Sequence, residues 1–101
     1  VVPGMITSDE PGIYREGFHG IRHENMILCE RRGENEFGKW LGFDTLTRTY
    51  LDTAPLVISL MNRDEIDWLN NFNETVFSEI GPCLNDNERM WLRDKTLPLD
   101  V

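Results

Sequence analysis

Two glutamates stand fourteen positions apart on short, distinctive phrases, Asp9-Glu10-Pro11-Gly12 and Gly20-Ile21-Arg22-His23-Glu24-Asn25. Paired carboxylates suit hard or borderline divalent cations. The first phrase alone carries little, because Pro and Gly at the second and third positions of a four-residue turn are ordinary turn chemistry. The second phrase gives it a partner. Both follow strand-like sequence, so the two carboxylates could be brought side by side from neighbouring strands of one sheet. Taken residue by residue, Glu10 is either a turn acid or a ligand projecting from a strand end, and Glu24 is either a ligand or the ion-pair partner of Arg22. Strand alternation places Arg22, Glu24, Met26 and Leu28 on one face and Ile21, His23, Asn25 and Ile27 on the other. His23 is therefore read as a core or interface histidine and not as a ligand.

The elements that would position these residues follow from periodicity. Residues 4–8 read as a short strand entering the Glu-Pro-Gly turn, and residues 20–30 as a second strand. The stretch from Glu30 to Gly38 combines charges with two glycines and reads as a solvated loop. Trp40, Leu41, Phe43 and Leu46 suggest another strand over 39–47. Ala54 to Ile58 reads as a short extended run that Pro55 confines to an edge or a strand start. Then the period changes: Ile66, Leu69, Phe72, Val76, Phe77 and Ile80 recur at helical spacing. Asn62 with Glu65 forms a start signal of capping-box type, and Gly81-Pro82 ends the run. Asn85 with Glu88 opens a shorter helix through Met90, Trp91 and Leu92 to about Lys95. The fold class expected is α+β, a few mostly antiparallel strands followed by two helices.

Size and charge limit the rest. A chain of 101 residues makes one small domain, too short for a large multi-domain enzyme. Its net charge of −8, with no basic run longer than Arg31-Arg32, disfavours nucleic acid and anionic membranes as partners. Cys29 and Cys83 have no metal-type spacing and read as reduced thiols. No apolar run approaches the ~18 residues of a membrane span. The opening Val1-Val2-Pro3, without an initiator Met, reads as a chain cut from something longer. No Ser/His/Asp or Cys/His set offers nucleophilic catalysis. Trp40, Trp68 and Trp91 have apolar neighbours and read as core.

Residues 4–25 carry a resemblance. Gly4-Met5-Ile6-Thr7-Ser8-Asp9-Glu10-Pro11-Gly12-Ile13-Tyr14, followed by Gly20 to Asn25 without a gap in spacing, resembles the closing half of the pita-bread metallopeptidases, family M24. Within them it is most similar to the Xaa-Pro aminopeptidases (aminopeptidase P). Asp67-Trp68-Leu69-Asn70 and the ending Trp91-Leu92 to Thr96-Leu97-Pro98-Leu99 look like the helical C-terminal extension of the longer members.

The resemblance implies residues 1–38 as the last strands of the catalytic domain and residues 39–101 as that extension, a structural or subunit-contact element. It implies Glu10 as a metal ligand that also takes part in proton transfer, and Glu24 as a ligand bridging two ions. Arg22 would orient a ligand carboxylate, and Tyr14 would belong to the substrate pocket; His19 stands where the family more often has an apolar or aromatic residue, and is read either as lining that pocket or as a solvated or packing residue. Two divalent metal ions are implied, manganese first, with zinc or cobalt as the other choices. The family's two aspartates and a histidine that complete the site lie upstream of this sequence, so the chain alone is expected to be inactive. The implied partners are a proline-containing peptide substrate, the N-terminal part of the same enzyme and a second copy of the chain, in the cytoplasm. Two alternatives accompany this reading: a non-catalytic pita-bread module that binds protein, and a prolidase-type dipeptidase. The presence of both carboxylates argues against the first, since a binding module has no reason to hold two like charges together.

Overall fold

The computed structural model describes residues 1–100; residue 101, the last of the expected extension, lies outside the described residues. The chain forms two compact units, residues 1–47 and 48 onward. The first holds five strands: β1 (Ile6–Asp9), β2 (Gly12–Arg15), β3 (His19–Arg22), β4 (Asn25–Asn35) and β5 (Gly38–Thr45). The second holds α1 (Arg63–Ile80) and α2 (Asp86–Lys95), with 3-10 turns at Ile58–Leu60 and Gly81–Cys83.

In the first unit β4 is central. It pairs antiparallel with β1 on one side and with β5 on the other, and β2 and β3 form a separate two-stranded ladder. Cys29 sits where these pairings converge. Its N–H donates to the Met5 carbonyl, its carbonyl accepts from Gly4, and it faces Phe43 across the other ladder. It is the one buried residue among positions 1–47, while Ile6, Ile13, Tyr14, Ile21, Trp40 and Phe43 are exposed. Both cysteines are free thiols, as expected.

Three expectations need correction. The strand expected over 20–30 is two strands, because the backbone leaves the ladder at His23 and Glu24. The expected loop from Glu30 to Gly38 is the end of β4, a Glu36-Phe37 turn and the start of β5. Charge and glycine mimic a loop there because the hairpin is exposed. A bulge between Arg31 and Gly33 frees Arg32 to pair with Glu30 at 3.5 Å and donate to the Phe43 carbonyl at 2.8 Å. Finally, Ala54 to Ile58 is not extended. The Asp52 carboxylate accepts from the Ala54 N–H at 3.0 Å, an Asx turn that draws the segment into bends before the 3-10 turn.

The second unit follows its sequence closely. Asn62 and Asn85 cap the two helices, each accepting from the N–H three residues on, while the Glu65 and Glu88 carboxylates accept from the cap N–H groups. Phe72, Val76 and Leu92 form the core, with Tyr50, Leu51, Phe77, Ile80 and Leu84 packed against it. Two asparagines on α1 hold the flanking segments. Buried Asn73 takes the Leu51 N–H at 3.0 Å and gives to the Leu51 carbonyl at 3.3 Å. Asn70 does the same with Leu99, at 2.8 and 3.1 Å. Arg93 lies 3.5 Å above the Phe77 ring and pairs with Glu74, so its guanidinium closes one side of the core.

Trp40, Trp68 and Trp91 are each about half exposed, whereas all three are expected in the core. Trp68 stacks on Phe72 with only one face, and Trp91 meets Tyr50 edge-on. No helix among the described residues is long and apolar enough to cross a membrane.

Asn73→Ala should destabilise the helical unit by roughly 1–3 kcal/mol, because both Leu51 backbone groups lose their partner. Asn62→Ala should cost about 1 kcal/mol through the cap alone. Urea unfolding followed by helical circular dichroism checks both, and an Asn73 effect no larger than the cap effect would contradict the clamp.

Candidate metal centre

The site is set by register. Asp9 pairs with Asn25 at the end of the β1–β4 ladder, and Gly12 pairs with Arg22 at the start of the β2–β3 ladder. These two pairs belong to one antiparallel register carried across the gap, and within it Pro11 stands opposite His23 and Glu10 opposite Glu24. The His23 N–H donates to the Pro11 carbonyl at 3.2 Å, a hydrogen bond that preserves the register where the regular ladder is interrupted. Residues directly opposite each other across an antiparallel pair lie on the same face, with Cβ atoms about 5 Å apart.

Two carboxylates facing each other repel, and directly opposed like charges destabilise a strand pair. Arg22 is the counter-charge. Its Nε lies 3.6 Å from a Glu24 carboxylate oxygen. Its pKa is raised above the ordinary value, first by its interaction with the Tyr14 side chain and then by the negative charges of Glu24 and Glu10. The guanidinium therefore stays protonated, paired with Glu24 and within the field of Glu10. The pair with Glu24 is half exposed to solvent, so the attraction is screened and contributes little stability by itself.

The structure thus gathers Glu10, Glu24, Arg22 and Tyr14, four of the five residues singled out in the sequence. His19 lies elsewhere. It pairs with Arg15 at the far end of the β2–β3 hairpin, on the face opposite Tyr14 by strand alternation, and its ring packs edge-on against Phe18. His23 is partly buried in the gap and enters through its backbone. Two further participants were not foreseen, Gly12 and Gly20, over which the Tyr14 ring lies. The signal available was their place in the hairpin, two residues before the tyrosine and directly across from it.

Among the described residues no group of three or more His, Cys, Asp or Glu side chains could hold a metal. What the chain offers is two carboxylates beside the ends of paired strands, one of them paired with a cation. Hard oxygen donors fit divalent ions of the manganese and magnesium type.

Comparison with known proteins gives the arrangement its context. A family model described as the C-terminal region of peptidase M24 matches residues 39–99. The chain belongs to the peptidase M24 family. A protein of Coprinopsis cinerea named "Probable Xaa-Pro aminopeptidase P" is 35% identical over 101 residues, which cover 95% of this chain and 16% of that protein. Arabidopsis thaliana aminopeptidase P2 is 37% identical over 100 residues, 95% of this chain and 14% of that one. Among solved structures, the X-prolyl aminopeptidase of Caenorhabditis elegans, described as a cytosolic enzyme with a di-nuclear active site, matches with a TM-score of 0.87 at 28% identity. That match covers 98% of this chain and 17% of the nematode enzyme. The chain is similar to the C-terminal part of an aminopeptidase P, in the strands-then-helices order expected for that portion of the pita-bread fold, and it spans about a sixth of the length of these M24 relatives.

In metal-free protein, Glu10→Gln should raise stability by roughly 0.2–1 kcal/mol, since it removes one of two opposed charges while leaving the Arg22–Glu24 pair intact. Thermal unfolding in the presence of chelator measures this. A lower midpoint would show that Glu10 is held by attraction and not strained by repulsion.

Proposed function

We propose that this chain is the C-terminal part of a dinuclear metal-dependent aminopeptidase that releases the N-terminal residue from peptides with proline in the second position. One observation carries the reading: the register, running from Asp9–Asn25 to Gly12–Arg22, that sets Glu10 against Glu24 with Arg22 paired to Glu24. The names of the Coprinopsis and nematode relatives, Xaa-Pro and X-prolyl aminopeptidase, support the substrate class, and the di-nuclear site of the nematode enzyme supports two ions. Manganese is the proposed metal, in keeping with the oxygen donors.

Bound divalent ions supply charge stabilisation for the reacting carbonyl and a lowered pKa for water. The chain's own residues do the rest. Glu10 and Glu24 would hold the ions, Glu24 serving both. The carboxylate of Glu10, at the strand end, is placed to accept a proton and return it to the departing amine. Arg22, anchored on Tyr14, keeps Glu24 pointing across the ladder by charge-assisted attraction. Tyr14 also forms part of the pocket wall. His19, on the other face at the hairpin tip, remains a pocket candidate only through whatever segment packs against that tip.

The remaining ligands come from the preceding part of the same polypeptide. Support for this partner lies in the first unit, where β1 to β3 are exposed along their whole length although they carry Ile6, Ile13, Tyr14 and Ile21. Strands of that composition require a covering layer. Residues 39–101 serve as a structural extension, and exposed Trp68, Trp91 and Met90 on the helices support a contact with a second copy. The cytosolic description of the nematode enzyme supports a cytoplasmic location.

The test uses full-length protein with Mn²⁺ and an Xaa-Pro peptide. Wild type should release the first residue. Glu10→Gln should lower kcat by about 10²–10⁴-fold through the lost proton acceptor, and Glu24→Gln should abolish metal retention as well as activity. The 101-residue chain alone should release nothing. Absence of activity with every divalent metal, in protein that folds, would replace this reading with the protein-binding module.

A further inference from the structure

We infer that Gly12 and Gly20 are positioning residues for the candidate centre: together they form a bare-backbone bed on which the Tyr14 ring lies, delivering its hydroxyl to Arg22. The inference rests on the reading of Glu10 and Glu24 as metal ligands.

Gly12 and Tyr14 are two residues apart on β2, and Gly20 is the register partner of Tyr14 on β3, so all three share one face of the hairpin. A Cβ at Gly20 would lie 3.1 Å from Tyr14 Cδ1, near the base of the ring. A Cβ at Gly12 would lie 2.6 Å from the Tyr14 hydroxyl oxygen and 2.8 Å from Cζ. The ring therefore runs along the backbone from Gly20 to Gly12, with its hydroxyl end over Gly12. The register partner of Gly12 is Arg22. The tyrosine is laid toward the guanidinium by the absence of two side chains.

Neither glycine is needed for its backbone freedom. Positive φ occurs at Gly4, Gly17, Gly33 and Gly38, and not at Gly12 or Gly20. Glycine inside a strand weakens it, and such a position commonly marks close approach of another group. Here that group is the phenol ring, and what it gains is direction. Within residues 1–47 nothing buries Tyr14, which is exposed over 65% of its surface, and the bare backbone of Gly12 and Gly20 is what its ring lies against. Arg22 is half exposed as well, and with the hydroxyl displaced it would retain only a screened attraction to Glu24 at 3.6 Å.

The two positions differ in severity. A methyl at Gly12 collides with the hydroxyl end and is 3.0 Å from the Ile21 carbonyl, so the ring must swing away. A methyl at Gly20 asks the ring base to yield by a few tenths of an ångström.

The experiment is a mutant cycle in the full-length metalloprotein, read by calorimetric titration of the metal-free form with Mn²⁺ and by kcat and KM, with circular dichroism as the folding control. Gly12→Ala should raise the Mn²⁺ dissociation constant by about tenfold or more, the effect usual for loss of a group that orients a ligand. Gly20→Ala should act in the same direction and less. In a Tyr14→Ala background, Gly12→Ala should add less than about twofold, since no ring remains to displace.

The inference is overturned if Gly12→Ala binds Mn²⁺ like wild type while Tyr14→Ala is weakened. It is equally overturned if the losses from Gly12→Ala and Tyr14→Ala multiply. Should Gly12→Ala not fold, Gly20→Ala carries the same cycle with its smaller intrusion. A folded wild type that binds no Mn²⁺ would remove the ligand reading, and this inference with it. Normal wild-type binding with unaffected glycine variants would remove this inference alone.

Discussion

One antiparallel register, kept across an interruption, is the constraint on which the candidate centre depends. Pairing of β1 with β4 and of β2 with β3 would place no two carboxylates together if the chain slipped by a residue at the gap. A shift of one would turn Glu10 or Glu24 to the other face. The single hydrogen bond from His23 to Pro11 prevents this. Proline suits its position well: it lacks an N–H, so the ladder can open there without orphaning a donor, while its carbonyl still accepts. The interruption also releases Glu10 and Glu24 from regular ladder geometry, leaving two carboxylates at a point where backbone bonding is thin.

Charge in this region is organised around one cation. Arg22 pairs with Glu24 and also feels the Tyr14 side chain and the charge of Glu10, so one guanidinium balances both carboxylates. In water-exposed surroundings such a balance contributes orientation more than stability. The helical unit uses the opposite strategy. There, polar groups are placed inside to bind backbone: Asn73 and Asn70 mimic a strand neighbour for Leu51 and Leu99, and Thr96 returns a buried hydroxyl to the Leu92 carbonyl. Those contacts hold extended segments onto α1 where no sheet is available.

Much of this was legible in the sequence, for identifiable reasons. The helices announced themselves because apolar spacing and both asparagine caps agree, and agreement between independent local signals is what makes an assignment secure. The paired glutamates were legible through their phrases, and the alternation that put Arg22 beside Glu24 survives the gap at His23 and Glu24. The β2 strand was hidden because its first residue doubles as a turn glycine, and the β4–β5 hairpin because an exposed hairpin carries charges on both faces and so lacks the period-two contrast on which strand reading relies. His19 was misleading in a simpler way: adjacency in sequence to Gly20 and Ile21 says nothing about which side of a ribbon a residue occupies. The glycine bed under Tyr14 was the least legible feature, since it consists of atoms that are not there.

The near absence of an interior in residues 1–47 has a consequence for how such a centre comes into being. With Cys29 as the one buried side chain there, the five strands have little hydrophobic energy of their own to offset the entropy of ordering them. Their order must be borrowed from whatever layer covers them. On the proposed reading of Glu10 and Glu24 as ligands, their geometry and the covering of these strands would form one cooperative event, and metal capture would be timed by hydrophobic coverage at a distance from any ligand.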